Sequence, residues 1–315
     1  MVSRRLQPFG STIFTEISAL SRDHGATDLG QGYPTFEGPE SVKQAAIEGL
    51  RSGWNQYPPS MGIHELRTAV AERWKRDTGL DADPDREITV TSGATEALAA
   101  TFIGTFDPGD EVILIEPYYD AYPVGCSLSG AVPRYVTLHA PDFRLDPDAL
   151  ESVISERTRA IIPVHLYGHP ADMDRIMAIA RKHDLVVIED ASQAHGARYK
   201  GRRVGSIGHA AAFSLYPAKN LGAYGDAGAV ITNSRKFADR IRLLRNHGRK
   251  SKYTHLKEGF NFRMDTLQAA VLDVKLRHLA DWTRSRRRLS AAYTKELSGL
   301  VRTPVERKGN YHVWH

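Results

Sequence analysis

Cysteine is nearly missing from this chain: Cys126 is the one such residue in 315. A lone thiol excludes a disulfide framework and a cysteine-built zinc site, and such usage suits a reducing, cytoplasmic setting. Long apolar runs are missing as well; none approaches the roughly 18 residues that a membrane-spanning helix needs. Met1 to Gly10 lacks the charged-then-apolar pattern of a secretory signal. Excess charge is also scarce, since 42 basic residues against 37 acidic ones leave a net of only +5. That surplus is too mild to point to nucleic acid; it would suit phosphorylated substrates, and a solvated surface explains it equally well. Its densest parts are residues 240–252 and 284–288. The second reads as the polar face of a helix, because Leu276, Leu279 and Trp282 form an apolar stripe beside it. The 13 histidines show no metal-ligand spacing such as His-Glu-x-x-His, so no metal site is expected. There is no internal repeat and no low-complexity segment.

What is present is an alternation of short apolar strands with amphipathic helices. Strands are expected at Ile88–Thr91, Glu111–Ile115, Ala160–Val164, Leu185–Glu189, Ala211–Ser214 and Ala229–Thr232, with helices at Thr95–Thr105, Pro147–Ser155, Asp172–His183 and Ser234–Arg245. Strands spaced by helices indicate an α/β fold with a mostly parallel, doubly wound sheet. Such sheets bind ligands beyond the carboxyl ends of their strands, so chemistry is sought in the residues just after each strand. The first 55 residues stand outside this alternation: a turn-rich loop, Leu29-Gly30-Gln31-Gly32-Tyr33-Pro34, precedes helices at Pro39–Arg51 and Ile63–Thr78. After Asp265 a helical pattern runs to about Leu297, and Tyr311 to His315 alternate like a strand.

Three segments carry chemistry. Leu185 to Gln193 is a buried strand ending in two acids, Glu189 and Asp190, with Gln193 returning to the same face. By itself Asp190 reads as a helix cap. Phe213 to Asn220 is a second strand running into a turn that holds Lys219. A lysine there is open to desolvation, which lowers its pKa and frees the amine as a nucleophile, although a surface lysine is the plainer alternative. Thr91 to Leu98 is a strand, a glycine turn and a helix start, where the backbone N–H groups of Ala94 and Thr95 form an anion site after Gly93. A phosphate cradle, a carboxylate and a strand-end lysine share one explanation, pyridoxal phosphate. The lysine forms the Schiff base, and the acid keeps the pyridine nitrogen protonated so that the ring accepts carbanion electrons.

From about Ala160 to Leu289 the chain resembles the DegT/DnrJ/EryC1/StrS family of sugar aminotransferases. The resemblance is carried by Pro163 to Gly168, Glu189 to Gly196, Ser214 to Gly225 and Arg245-Asn246-His247-Gly248. It implies fold type I, with Lys219 as the Schiff-base lysine, Asp190 as partner of the ring nitrogen and Gln193 against the ring face. Ser214 would bind the phosphate, and Asn246 would reach the phosphate of the neighbouring subunit. The first 150 residues are instead similar to the kynurenine and methionine branch of the amino-acid aminotransferases, through Asp28 to Pro34, Asn55-Gln56-Tyr57, Thr91 to Leu98 and Glu116 to Asp120. That similarity gives Gly32, Ala94, Thr95 and Tyr119 to substrate, phosphate and ring stacking, and Tyr57 to the partner subunit's phosphate. Tyr119 and Gln193 are thus two stacking candidates, and Tyr57 and Asn246 two partner-phosphate candidates.

Departures accompany both resemblances. His165-Leu166-Tyr167-Gly168 stands where the amino-acid family expects an Asn-Pro-rich stretch, and Ala218 and Ala227 replace glycines of the sugar family. Gly222 to Gly228 has dinucleotide-like spacing but precedes a strand, so it reads as a turn beside Lys219. His165 and His195, near strand ends, either border the cofactor or are interior histidines, and Cys126 is expected to be inert. The expected organisation is an N-terminal arm with a piece of a small domain (1–55), a large cofactor domain (56–275), and the start of a C-terminal small domain (276–315) that both families complete further on. A chain stopping within a strand is expected to leave a sheet edge unpaired and apolar surface exposed. The expected activity is transfer of an amino group from an amino acid to a keto-sugar nucleotide, by a cytoplasmic homodimer with shared sites and without nucleic-acid or membrane partners. The alternatives are an amino-acid:2-oxo-acid transaminase or β-lyase, and a non-catalytic cofactor-binding protein.

Overall fold

The computed structural model describes residues 4, 7–28, 37–140 and 142–315. Strands β1 (Ile88–Thr91), β2 (Glu111–Glu116), β3 (Val132–Thr137), β4 (Thr158–Ile162) and β5 (Val186–Asp190) are followed by two-residue β6 (Arg198–Tyr199) and β7 (Arg202–Arg203), then β8 (Ala210–Ser214) and β9 (Gly228–Thr232). The main sheet has seven strands in the order β1-β9-β8-β5-β4-β2-β3. Strands β8, β5, β4, β2 and β3 run parallel, while β9 is antiparallel to both β8 and β1.

Helices α1 (Ile13–Asp23), α2 (Glu40–Arg51), α3 (His64–Thr78), α4 (Ala94–Thr105), α5 (Ala121–Ser129), α6 (Pro147–Ser152), α7 (Met173–Lys182), α8 (Arg235–Arg245) and α9 (Thr266–Glu296) surround it. Side chains alternate across each strand, so every central strand feeds two cores. Val112, Leu114, Ile188 and Val230 pack with Phe102 of α4, Tyr122 and Cys126 of α5 and Ile241 of α8. Ile113, Ile161 and Val187 face the other way, onto Leu150 of α6 and Met173, Ile176 and Ile179 of α7. A third cluster joins Leu66 of α3 and Leu272, Leu276 and Leu279 of α9 to Val90, Leu215 and Leu221. Thus α9 holds the turn that carries Lys219, and the stripe through Leu276 and Leu279 faces inward as read from the sequence.

Several boundaries move. The strand expected at Ala160–Val164 is Thr158–Ile162, with Val164 making only an isolated bridge to Asp190. The strand expected at Leu185–Glu189 runs one residue further, so Asp190 is its last member rather than a helix cap. The alternation expected over Tyr311–His315 reduces to a two-residue strand, Asn310–Tyr311, which pairs with β6. Val313 behind it is fully buried against Ala191, Ala194, Ala197 and Val204. Exposed apolar side chains lie elsewhere in this part of the chain, at Leu289, Tyr293, Leu300, Val301 and Val305. Strand β3 and helices α1 and α5 were not expected. Among the described residues no helix is long and apolar enough to cross a membrane, and no cluster of three ligating side chains is placed to hold a metal.

Candidate active site

Strand register assembles the site. Asp190 lies opposite Ala212 of β8, two residues before Ser214. Ser214 pairs with Gly228 at the start of β9, and Gly228 pairs on its other side with Thr91 at the end of β1. Three strand ends therefore meet at one sheet edge, where open α/β sheets bind their ligands. Gly93 follows with φ of 113°, a conformation that glycine adopts without strain, and no atom lies within 4 Å of where a Cβ would be. A Cβ on Gly228, by contrast, would come within 2.3 Å of the Gly93 carbonyl carbon. The cradle is thus closed behind by β9 and open in front. No side chain caps α4, which leaves the N–H groups of Ala94 and Thr95 for an anion.

The two acids of β5 point to opposite faces and differ in their surroundings. Glu189 is fully buried and accepts from the backbone N–H groups of Gly205, Ile207 and Gly208 at 2.7, 2.8 and 2.6 Å. Its fourth partner is His165 Nε2 at 2.9 Å. His165 Nδ1 accepts the N–H of Ala171 at 3.1 Å, which places the ring proton on Nε2 and makes His165 a neutral donor. Burial pushes the Glu189 carboxyl up, but the bonds from His165 and from the Gly208 and Gly205 N–H groups prevail and hold it below its usual range. His165 is therefore an interior histidine that fastens Glu189.

Asp190 is also buried, yet among the described residues it accepts only the Ser192 N–H at 2.8 Å on Oδ1 and the Tyr122 hydroxyl on Oδ2. A carboxylate offers about four acceptor positions, so capacity remains for a further donor. Burial, and then the charge of Asp190, keep the Tyr122 phenol well above its ordinary range, so it stays a donor. Tyr122 was missed in the sequence; its signal was the spacing Tyr119-x-x-Tyr122, and the turn that leads into α5 brings the two rings within 6.0 Å.

Lys219 is half-buried in the turn after β8, its N–H donating to the Tyr216 carbonyl at 2.9 Å. Burial lowers its amine below the usual range, partly countered by the charge of Asp190. Ser214 is buried, with the Tyr216 N–H 3.4 Å from its Oγ. Tyr119 hydrogen-bonds the Thr95 side chain, and burial, followed by the charges of Asp120 and Asp190, raises its phenol. Gln193, three residues after Asp190, has its Oε1 accepting the Tyr167 N–H at 2.6 Å. One edge thus collects Gly93, Ala94, Thr95, Tyr119, Asp190, Gln193, Ser214 and Lys219. Asn246 follows α8 and bridges Asn261, with its Oδ1 buried and without a hydrogen-bond partner among the described residues. Tyr57 is 83% exposed, and Gly32 lies outside the described residues. Burial raises the Cys126 thiol to about 12, consistent with an inert side chain.

An electrophilic, phosphate-bearing, nitrogen-heterocyclic cofactor fits these residues: an uncapped helix start, a spare acceptor on a buried carboxylate and a partly desolvated amine. This is the fold type I architecture of pyridoxal-phosphate aminotransferases. A structure of Streptomyces venezuelae DesV in complex with a ketimine intermediate superposes with a TM-score of 0.77 at 39% identity, covering 95% of this chain and 74% of that one. The NtdA structure from Bacillus subtilis, which has bound cofactor PMP, matches at TM-score 0.74 and 28% identity over 88% of this chain and 62% of its own. The DegT/DnrJ/EryC1/StrS aminotransferase family model matches residues 84–315, and the chain belongs to that family.

Among its relatives, a pleiotropic regulatory protein of Geobacillus stearothermophilus is 49% identical over 70% of this chain and 59% of its own length. The dTDP-3-amino-3,4,6-trideoxy-alpha-D-glucose transaminase of S. venezuelae is 47% identical over 74% of this chain and 62% of its own. The chain thus spans about three fifths of these two relatives. A probable N-succinyldiaminopimelate aminotransferase of Mycobacterium tuberculosis is 43% identical over 62% of this chain and 51% of its own.

Proposed function

We propose that the chain is a pyridoxal-phosphate-dependent transaminase that moves an amino group from an amino acid to the carbonyl of a keto-sugar nucleotide. The observation that carries this reading is the convergence of Lys219, Asp190 and the open start of α4 at one sheet edge. Pyridoxal phosphate supplies a reactive carbonyl and an electron sink for the carbon that loses its proton. Lys219 holds the cofactor through its amine and, once released, moves the proton from the donor α-carbon as base and then as acid. Asp190, kept in place by Tyr122 and the Ser192 N–H, accepts from the ring nitrogen and keeps a proton there. The N–H groups of Ala94 and Thr95, after Gly93, and the Ser214 hydroxyl receive the phosphate. Tyr119 and Gln193 flank the ring.

Asn246 and Tyr57 serve the site of a second subunit, which makes the enzyme a homodimer with shared sites, and Gly32 belongs to the substrate side. The division at residues 55 and 275, and a cytoplasmic location, belong to the same reading. The sugar acceptor is supported by the S. venezuelae transaminase, whose name specifies a dTDP-amino sugar. An amino-acid:2-oxo-acid transaminase or β-lyase is the second reading, supported by the M. tuberculosis relative and by the N-terminal resemblance to the kynurenine and methionine branch. A non-catalytic cofactor-binding protein is the third, in line with the regulatory name of the Geobacillus relative. Incubation with glutamate and a scan for pyridoxamine phosphate separates enzyme from binder. Offering dTDP- and UDP-keto-sugars beside 2-oxo acids as acceptors then decides between the first two.

A further inference from the structure

Lys219 stands in the middle of a loop whose two ends touch. The Ala223 N–H donates to the Leu215 carbonyl at 2.7 Å, and the Lys219 N–H to the Tyr216 carbonyl at 2.9 Å. Gly222 lies close against the start of the loop. A Cβ there would come within 2.3 Å of the Pro217 carbonyl oxygen and 2.7 Å of the Tyr216 one. Whatever holds Gly222 therefore holds both ends of the loop, with Lys219 between them.

The hold comes from α9. Lys275 Nζ donates to the Gly222 carbonyl at 2.7 Å and lies 4.6 Å from the centre of the Tyr224 ring. Two turns earlier on the helix, Gln268 Oε1 accepts the Tyr224 N–H at 2.8 Å. Residues seven apart share one face of a helix, so the two side chains grip the loop side by side. Next to them Leu272 and Leu276 pack with Leu215, Leu221 and Ala223.

A lysine on a helix commonly lays its stem on apolar surface and carries its charge out to water. Lys275 does the reverse. Its side chain is half-buried, and burial lowers the amine below its usual range, with no carboxylate among the described residues acting to raise it. A carbonyl oxygen and the face of a ring receive the ammonium in place of a counter-ion. The charge is thus spent on the shape of the loop.

We propose that Lys275 is a positioning residue for Lys219: by holding the Gly222 carbonyl it fixes the loop that presents the cofactor lysine to a carbonyl bound before α4. The link forms when the Lys219 nitrogen bonds the carbonyl carbon and the carbonyl oxygen leaves as water, which requires both partners in one geometry. The phosphate contacts proposed at Ala94, Thr95 and Ser214 lie outside the loop and do not depend on Lys275. The inference rests on the reading of Lys219 as the cofactor lysine.

The test titrates the full chain, freed of cofactor, with two ligands. One is pyridoxal phosphate; the other is deoxypyridoxine phosphate, which keeps the ring and the phosphate but has a methyl group in place of the carbonyl and forms no link. Lys275→Met should weaken pyridoxal phosphate about tenfold, the low end of the worth of one hydrogen bond to a charged group, and leave the analogue unchanged. Lys275→Arg, which keeps a charged donor, should restore the affinity, and replacing exposed Lys200 by Met should change neither ligand. If the Met variant does not fold, Lys275→Gln, whose shorter side chain stops short of Gly222, gives the same comparison. An unchanged affinity for pyridoxal phosphate overturns the proposal. Equal weakening of both ligands overturns it too, because it shows a general loosening of the fold. Borohydride reduction of the holoprotein and peptide mapping separately test Lys219. A label elsewhere, Lys275 included, refutes the cofactor assignment, and a label on Lys219 with both affinities unmoved refutes the role of Lys275.

Discussion

Glu189 and Asp190 are neighbours in sequence, both buried at the end of β5, and they lie in two unlike regions. Below the sheet edge, Glu189 is saturated by three backbone N–H groups and His165. Above it, Asp190 accepts among the described residues only from Tyr122 and Ser192, and its charge acts on Lys219. A buried acid whose acceptor positions are all filled holds structure, whereas one with spare capacity beside a desolvated amine is set up to work on a ligand. Burial alone would not have told the two apart.

The largest effect is expected on the open side. Lys219→Ala should fold and still bind pyridoxal phosphate without a covalent link, and its transamination should drop to background in a steady-state assay. Borohydride should then fix no label to the protein. Asp190→Asn comes next, with a rate loss of roughly two powers of ten or more, the scale of losing one preorganised electrostatic partner. Turnover close to wild type in that variant would break the comparison and hand the role to Glu189.

Glu189→Gln should act in the opposite manner. It removes a charge from a set of four neutral donors, so denaturant titration should show a stability loss of about 1.5–3 kcal/mol, the scale of hydrogen bonds to a charged group. The folded fraction should keep its cofactor absorbance and its rate. A variant that stays stable but loses activity would place Glu189 on the working side.

Acid should weaken the fold through histidines held neutral. Burial lowers both His195 and His312 to about 3, and both are 4% exposed. The neutral form of His312 is also written in its geometry, because its Nδ1 accepts the Trp314 N–H at 3.0 Å. Their folded values lie below the unfolded value near 6.5, so the unfolded chain binds protons that the folded one refuses. Stability is full above about pH 6.5 and falls as pH drops toward 3, by up to about 1.4 kcal/mol per pH unit for each histidine. Thermal melts between pH 7 and 5 should show the decline, and replacing His195 by Gln should flatten it in part.

The smallest change is expected at Tyr57. Being 83% exposed, Tyr57→Ala should leave stability within about 0.5 kcal/mol. A rise in the dissociation constant for the cofactor would then have to arise across a subunit interface, as the proposed role requires. An unchanged constant would leave Asn246 as the remaining candidate for that contact.

Most of the sheet was legible because buried parallel strands are apolar runs of about five residues, and Ile113 to Ile115 or Val186 to Ile188 leave little choice. Strand β3 escaped notice because its exposed edge position leaves only Val136 buried, so no apolar run marks it. Helix α5 was hidden by Pro123 and Gly125, yet Pro123 sits in the first turn, where its missing N–H costs nothing. With α5 went Tyr122, the one hydroxyl on Asp190. The strand-like reading of Tyr311 to His315 was too long because alternation alone does not say where pairing stops. Trp314, with φ of 53°, turns the chain out of the extended form after Val313.

Sequence by itself determined the chemical parts: an acid closing an apolar strand, a lysine in the turn after another, and a glycine turn opening a helix. Those are local patterns, written in residues that touch along the chain, and they sufficed for the class of cofactor. Tertiary structure decided which of two adjacent acids is free, because the three N–H groups that fill Glu189 come from residues 205–208. It also decided that the ring nitrogens of buried His195 find no hydrogen-bond partner among the described residues, and that residues 313–315 return to brace Asn220. Hydrogen-bond saturation and desolvation are sums over neighbours from the whole chain, and no window of sequence contains them.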